Sequence, residues 1–95
     1  MSKVTKEISA ENTFSDPIEV KGTFDLSIAG TFVATVTVQR SFDGGSSWSD
    51  VETFTAPIET YGVQPTYANY RVGVATGDYG SGTVTVTLYE GDISA

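Results

Sequence analysis

The sequence predicts an all-β protein, folded as a single antiparallel β-sandwich of immunoglobulin-like or jelly-roll type with seven to eight strands. Three observations point there. Thr, Val and aromatic residues dominate the chain, and these side chains suit a pleated, half-buried surface. No stretch repeats its apolar residues at the 3.6-residue spacing of a helix. Gly and Pro recur at intervals suited to short strands joined by turns. A small closed barrel is the competing architecture.

The elements follow in order. A strand is expected around Val4–Ile8, then a less regular segment from Glu11 to Phe14. Pro17 interrupts the chain before a short strand at Ile18–Lys21, which Gly22 is expected to end. Phe24, Leu26 and Ile28 alternate with Asp25, Ser27 and Ala29, the period-2 pattern of a strand with one buried face. Gly30 is expected to close that strand and open the longest one, Thr31–Ser41, with Phe32, Ala34, Val36 and Val38 on one face and Thr31, Thr35, Thr37 and Gln39 on the other, Val33 being the exception. After Asp43-Gly44-Gly45 the chain returns as Trp48–Thr55. Trp48, Val51 and Phe54 break parity there, which predicts a bulge or an irregular start. Pro57 precedes a strand at Ile58–Val63. Pro65 precedes an expected final hairpin, Tyr67–Thr76 with Thr83–Tyr89, whose glycine-rich tip runs from Gly77 to Gly82.

Two units are read from this pattern: residues 1–16 as an N-terminal arm or edge strand, and residues 17–95 as the β-sandwich domain. The first segment has mixed charge and few large apolar residues. As an arm it would dock through Val4, Ile8 and Phe14, and the sandwich would fold without it. As an integral strand it would be required for folding.

Composition narrows function. The chain has 95 residues, no Cys and no His. That removes disulfides, thiolate metal sites and the commonest general base. Asp25, Glu19 and Glu59 alternate with apolar neighbours and should face water, so no catalytic residues are assigned and no enzyme activity is expected. The 5 basic and 12 acidic residues give a net charge of −7, and the lysines and arginines are scattered. Neither nucleic acid nor an anionic membrane is an expected partner. The polar first residues do not resemble a signal peptide, and no apolar run is long enough for a spanning helix.

The most specific local pattern is Ser41-Phe42-Asp43-Gly44-Gly45-Ser46-Ser47-Trp48. It matches the Asp box, Ser-x-Asp-x-Gly-x-Thr-Trp, with Ser47 in place of Thr. Asp43 is expected to accept hydrogen bonds within its own turn, Gly44 or Gly45 to take positive φ, and Trp48 to pack back under the loop. Ser41, Asp43, Gly45 and Trp48 are therefore assigned a structural role. A calcium reading of Asp43, Asp50 and Asp78 lacks the Asp-x-Asp-x-Asp spacing, so neither metal nor cofactor is expected. Tyr67, Tyr79 and Tyr89 are the candidate interface tyrosines, together with the apolar residues of the arm.

The series Phe24–Phe32, then Val36-Thr37-Val38-Gln39-Arg40-Ser41-Phe42-Asp43-Gly44-Gly45, and later Tyr70-Arg71-Val72, resembles small structural proteins of tailed bacteriophages. The likeness runs from Phe24 to Tyr89, about two-thirds of the chain. It implies a virion protein assembled in the host cytoplasm, with capsid or other virion proteins as partners. Capsid decoration by a homo-oligomer, preferably a trimer, is the expected role. A neck or tail position is the nearest alternative, and a carbohydrate-binding β-sandwich module is the alternative of another class.

Overall fold

The computed structural model describes residues 3–90. Seven strands carry them: β1 (Lys3–Ile8), β2 (Thr13–Phe14), β3 (Ile18–Ala34), β4 (Val36–Ser41), β5 (Ser49–Phe54), β6 (Ile58–Val74) and β7 (Tyr79–Glu90). There is no helix among them, and every pairing is antiparallel. The strands form one hydrogen-bonded sheet in the order β1-β7-β3-β6-β4-β5, with β2 attached to β6. The all-β, antiparallel, sandwich-like class read from the sequence is the class observed.

The sheet becomes two layers because two long strands pass from one layer into the other. β3 and β6 have 17 residues each. Leu26 of β3 pairs with Thr60 of β6 and with Leu88 of β7 in one layer. Farther along β6, Asn69–Gly73 pairs with β4 in the other. The two halves of β6 are joined through a register shift opposite Val20–Gly22. Pro65 sits in that shift, where no ladder hydrogen bond is required of it.

Three sequence expectations are corrected here. Gly22 and Gly30 do not end strands; both keep positive φ inside β3, as a bulge and a sharp twist. A Cβ on Gly30 would lie 2.4 Å from the carbonyl oxygen of Thr83, and one on Gly82 would lie 2.2 Å from that of Thr31. The pair marks a close backbone approach, not a chain reversal. The break falls instead at Thr35, whose N–H donates to the Asp78 carbonyl at 2.9 Å. Nor is there a final hairpin. β7 pairs with β1 and β3, not with β6, so the chain changes layer at Ala75–Asp78. β4–β5 is the one hairpin between consecutive strands among the described residues.

Apolar residues at alternate positions fill the space between the layers. Phe24, Leu26 and Ile28 of β3, Val84, Val86 and Leu88 of β7, and Ile8 of β1 come from one side; Val20, Val36, Val38, Tyr70, Val72 and Val74 come from the other. Burying each is worth about 1.5–3 kcal/mol. The ring of Phe24 lies over Gly62 and 4.6 Å from the ring of Tyr70. The Tyr70 hydroxyl donates to Gln64 Oε1 at 2.7 Å, so the two buried polar side chains satisfy each other.

Of the two readings of the N-terminal segment, the edge strand is the one the fold contains. All of β1 pairs with β7, from Lys3 opposite Tyr89 to Ile8 opposite Val84. Ile8 is fully buried. Beyond β1 the segment stays tied down. Glu11 Oε1 accepts the Gly77 N–H at 2.8 Å. Ser15 donates its N–H to the Val72 carbonyl at 2.8 Å and accepts the Val72 N–H on its Oγ at 3.1 Å.

Candidate functional site

The Asp-box turn is built as its residue types require. Ser41 ends β4 almost completely buried. Its hydroxyl donates to Asp43 Oδ1 at 2.6 Å and accepts the N–H groups of Asp43 at 3.3 Å and Gly45 at 2.8 Å. The Asp43 carboxylate also accepts the Ser47 N–H at 2.9 Å and the Ser47 hydroxyl at 2.6 Å. Ser47 thus serves where the pattern has Thr. These donors favour the ionised form, led by the Ser41 hydroxyl and then the Ser47 hydroxyl and amide, and hold the Asp43 carboxyl well below the usual carboxylate range. Gly44 and Gly45 have φ of 75° and 99°, which turns the chain back into β5.

Trp48 packs back on this turn: a Cβ on Gly45 would lie 3.5 Å from its ring. Its other contact was not foreseen. The guanidinium of Arg71 lies 4.3 Å from the Trp48 ring centroid and 4.4 Å from that of Phe14. Arg71 is therefore held between two aromatic rings, one from the Asp-box hairpin and one from β2. Its Nε donates to Gln39 Oε1 at 2.8 Å, and Gln39 Nε2 donates to Asp50 Oδ1 at 2.9 Å. Desolvation lowers the Arg71 pKa from its ordinary value. Only strand parity could have flagged Arg71 and Gln39, since both occupy outward positions opposite each other on β6 and β4.

Asp43, Asp50 and Asp78 are not brought together. Asp43 serves its turn, Asp50 serves Gln39, and Asp78 lies in the β6–β7 connection. Among the described residues no group of three metal-ligating side chains is close enough to hold an ion.

The candidate interface residues divide. Ile8 is interior and cannot serve as a contact anchor. Val4 is half-buried against the core, and Phe14 is occupied with Arg71. Tyr79 also packs on the core, and its hydroxyl donates to the Gly82 carbonyl at 2.8 Å. Of the tip expected over Gly77–Gly82, Tyr79–Gly82 is in fact the first part of β7, paired with β3. Tyr67 stands 61% exposed, with Lys21 Nζ 5.2 Å from its ring centroid. Tyr89 is half-buried on the outward face, opposite Asp25 and Lys3.

That face also presents Tyr61, 70% exposed, and Val63, 64% exposed. Tyr61, Asp25 and Tyr89 form one row across β6, β3 and β7. Elsewhere Val33 and Phe42 are each 66% exposed. The surface therefore carries large apolar side chains in several places.

No known family model matches the chain, and no characterised protein sequence or solved structure matches it.

Proposed function

We propose that the chain is a structural protein of a tailed-bacteriophage virion, most simply a capsid decoration protein acting through protein–protein contacts and without catalysis. The observation that carries this reading is the exposure of Tyr61, Val63, Tyr67, Val33 and Phe42 on a rigid scaffold. Large apolar and aromatic side chains of this kind are the usual anchors of protein interfaces. The resemblance of Phe24–Tyr89 to phage structural proteins supplies the virion context, with a homo-oligomer, a trimer by preference, docked on capsid proteins. Co-sedimentation with capsid shells of the phage that encodes the chain tests this. Saturable binding and a raised shell melting temperature are expected. A folded protein that leaves the shells unchanged overturns decoration, and electron microscopy that places it at the neck or tail moves it along the particle.

A carbohydrate-binding role has one observation in its favour, the row Tyr61–Asp25–Tyr89. Two tyrosines there flank a carboxylate on one sheet face, and such rings can stack on sugar faces while the carboxylate accepts hydroxyl protons. Glycan-array binding that disappears in Tyr61→Ala would support it over the virion role.

A further inference from the structure

The sheet ends in two strands that each have a neighbour on one side only among the described residues: β1, paired with β7, and β5, paired with β4. Free edges of this kind offer a row of backbone donors and acceptors to another chain, and proteins usually blunt them with charge. The two edges here are charged with opposite sign. β1 carries Lys3 and Lys6 against one carboxylate, Glu7, whereas β5 carries only carboxylates, Asp50 and Glu52.

Direction and facing also match. Five antiparallel steps separate β1 from β5 along the sheet, so the two run in opposite senses. A second copy, turned so that its β1 continues the layer of β5 with the core sides together, sets that β1 antiparallel to β5. In the register that sets Lys6 opposite Glu52, Thr5 meets Thr53 and Val4 meets Phe54. Inner and outer sides agree at all three positions. Val4 and Lys6 pair with Leu88 and Val86, and Phe54 and Glu52 pair with Val36 and Val38, all on the core side. Thr5 and Thr53 pair with Thr87 and Thr37 on the outer side. Val4 and Phe54 are half-buried side chains at the margin of the core, and the contact would cover both. Glu7 falls opposite Val51, and Asp50 opposite Ile8, so neither carboxylate meets a like charge.

We propose that the chain self-associates head to tail by antiparallel pairing of β1 of one copy with β5 of the next, in the register Lys6 opposite Glu52. Pairing β5 with β5 would gather carboxylates on one seam, whereas this register sets Lys6 against Glu52, so the charges favour the heterologous contact for β5. A heterologous contact closes into a ring when its rotation allows. The proposal deepens the assembly reading above by naming the surface, and rests on it only for the expectation that copies associate.

The test is a mixing experiment followed by analytical ultracentrifugation. Lys6→Glu leaves both edges net acidic, and Glu52→Lys sets a lysine opposite Lys6. Each variant alone should associate about tenfold more weakly than wild type. An equimolar mixture should recover association, because β1 of one variant then meets β5 of the other with unlike charges at positions 6 and 52. Added salt should weaken the wild-type oligomer and strengthen self-association of either variant. Recovery in the mixture supports the pairing; variants that associate as wild type does, or a mixture no better than its parts, overturn it. Hydrogen exchange on the wild-type chain needs no variant. Amides of Lys3–Ile8 and Ser49–Phe54 should slow together as concentration rises, and slowing of one strand alone, or of neither, overturns the pairing. A wild-type chain that stays monomeric at its highest soluble concentration yet binds shells refutes this contact and leaves decoration standing. Association through these edges without shell binding does the reverse.

Discussion

The N-terminal segment and the Asp-box hairpin are both short, polar stretches that join the same sandwich, and they do so in opposite ways. The hairpin, from Ser41 to Trp48, is held mainly by itself: Ser41, Asp43, Gly45 and Ser47 bond to one another within four residues along the chain. The N-terminal segment is held by partners far away in sequence, including Val84–Tyr89, Val72 and Gly77. The two meet at Arg71, between Phe14 and Trp48. What differs is the origin of order. Local chemistry shapes the hairpin, whereas the N-terminal strand draws its order from its pairing with β7.

The largest test of that contrast is removal of residues 2–14. The truncated protein should be insoluble or melt far below the full-length chain, because β7 loses a neighbour and the core loses Ile8. A soluble truncation with a normal far-ultraviolet spectrum and melting curve would restore the dispensable-arm reading.

A milder form leaves the strand and empties its anchor. Ile8→Ala should cost about 2–5 kcal/mol in denaturant unfolding, from lost burial and the cavity left behind. Val4, half-buried near the strand's outer end, should cost less when truncated, and equal losses would contradict the burial gradient along β1.

Arg71 tests the joint between the regions. Arg71→Ala should cost about 1–2 kcal/mol, through two lost ring contacts and the hydrogen bond to Gln39. Arg71→Lys should restore little, since an ammonium cannot lie flat between two rings as a guanidinium does. Full rescue by Lys would mean that charge alone matters there.

The smallest effect belongs to the hairpin. Asp43→Asn should lower the melting temperature by a few degrees at neutral pH and leave the sheet intact. The folded-state pKa of Asp43 lies below its unfolded value, so its contribution is full above the ordinary carboxylate range, near 4. It is lost progressively as pH falls from there through the folded value. The stability difference between wild type and Asp43→Asn should therefore shrink on acidification. A difference that stays constant or grows towards low pH would show that the carboxylate charge is not what the turn uses.

The hairpin was legible because its information is local. Residue types at fixed spacing imply the Ser41–Asp43–Ser47 bonds and the positive φ of the glycines, and the broken parity of Trp48, Val51 and Phe54 does mark a bulge, at Val38/Gln39 opposite Val51. Period-2 alternation likewise identified the buried faces of β3, β6 and β7. It misassigned Thr37, which takes the outward parity but is buried, where Phe14 and Gly73 close over that side of the sheet.

Alternation determined which side of each strand is apolar, and composition determined that strands and not helices would bury those sides. Which strand lies beside which was decided only by the tertiary structure. Gly22, Gly30 and Pro65 look the same in sequence whether they end a strand or bend it, because positive φ or a missing N–H is compatible with both. The outcome depends on whether a distant backbone, such as that of Thr83 beside Gly30, is there to continue the ladder. The same holds for β1: a polar strand with one buried anchor, Ile8, gains its order from β7 alone, and that partner lies about eighty residues away.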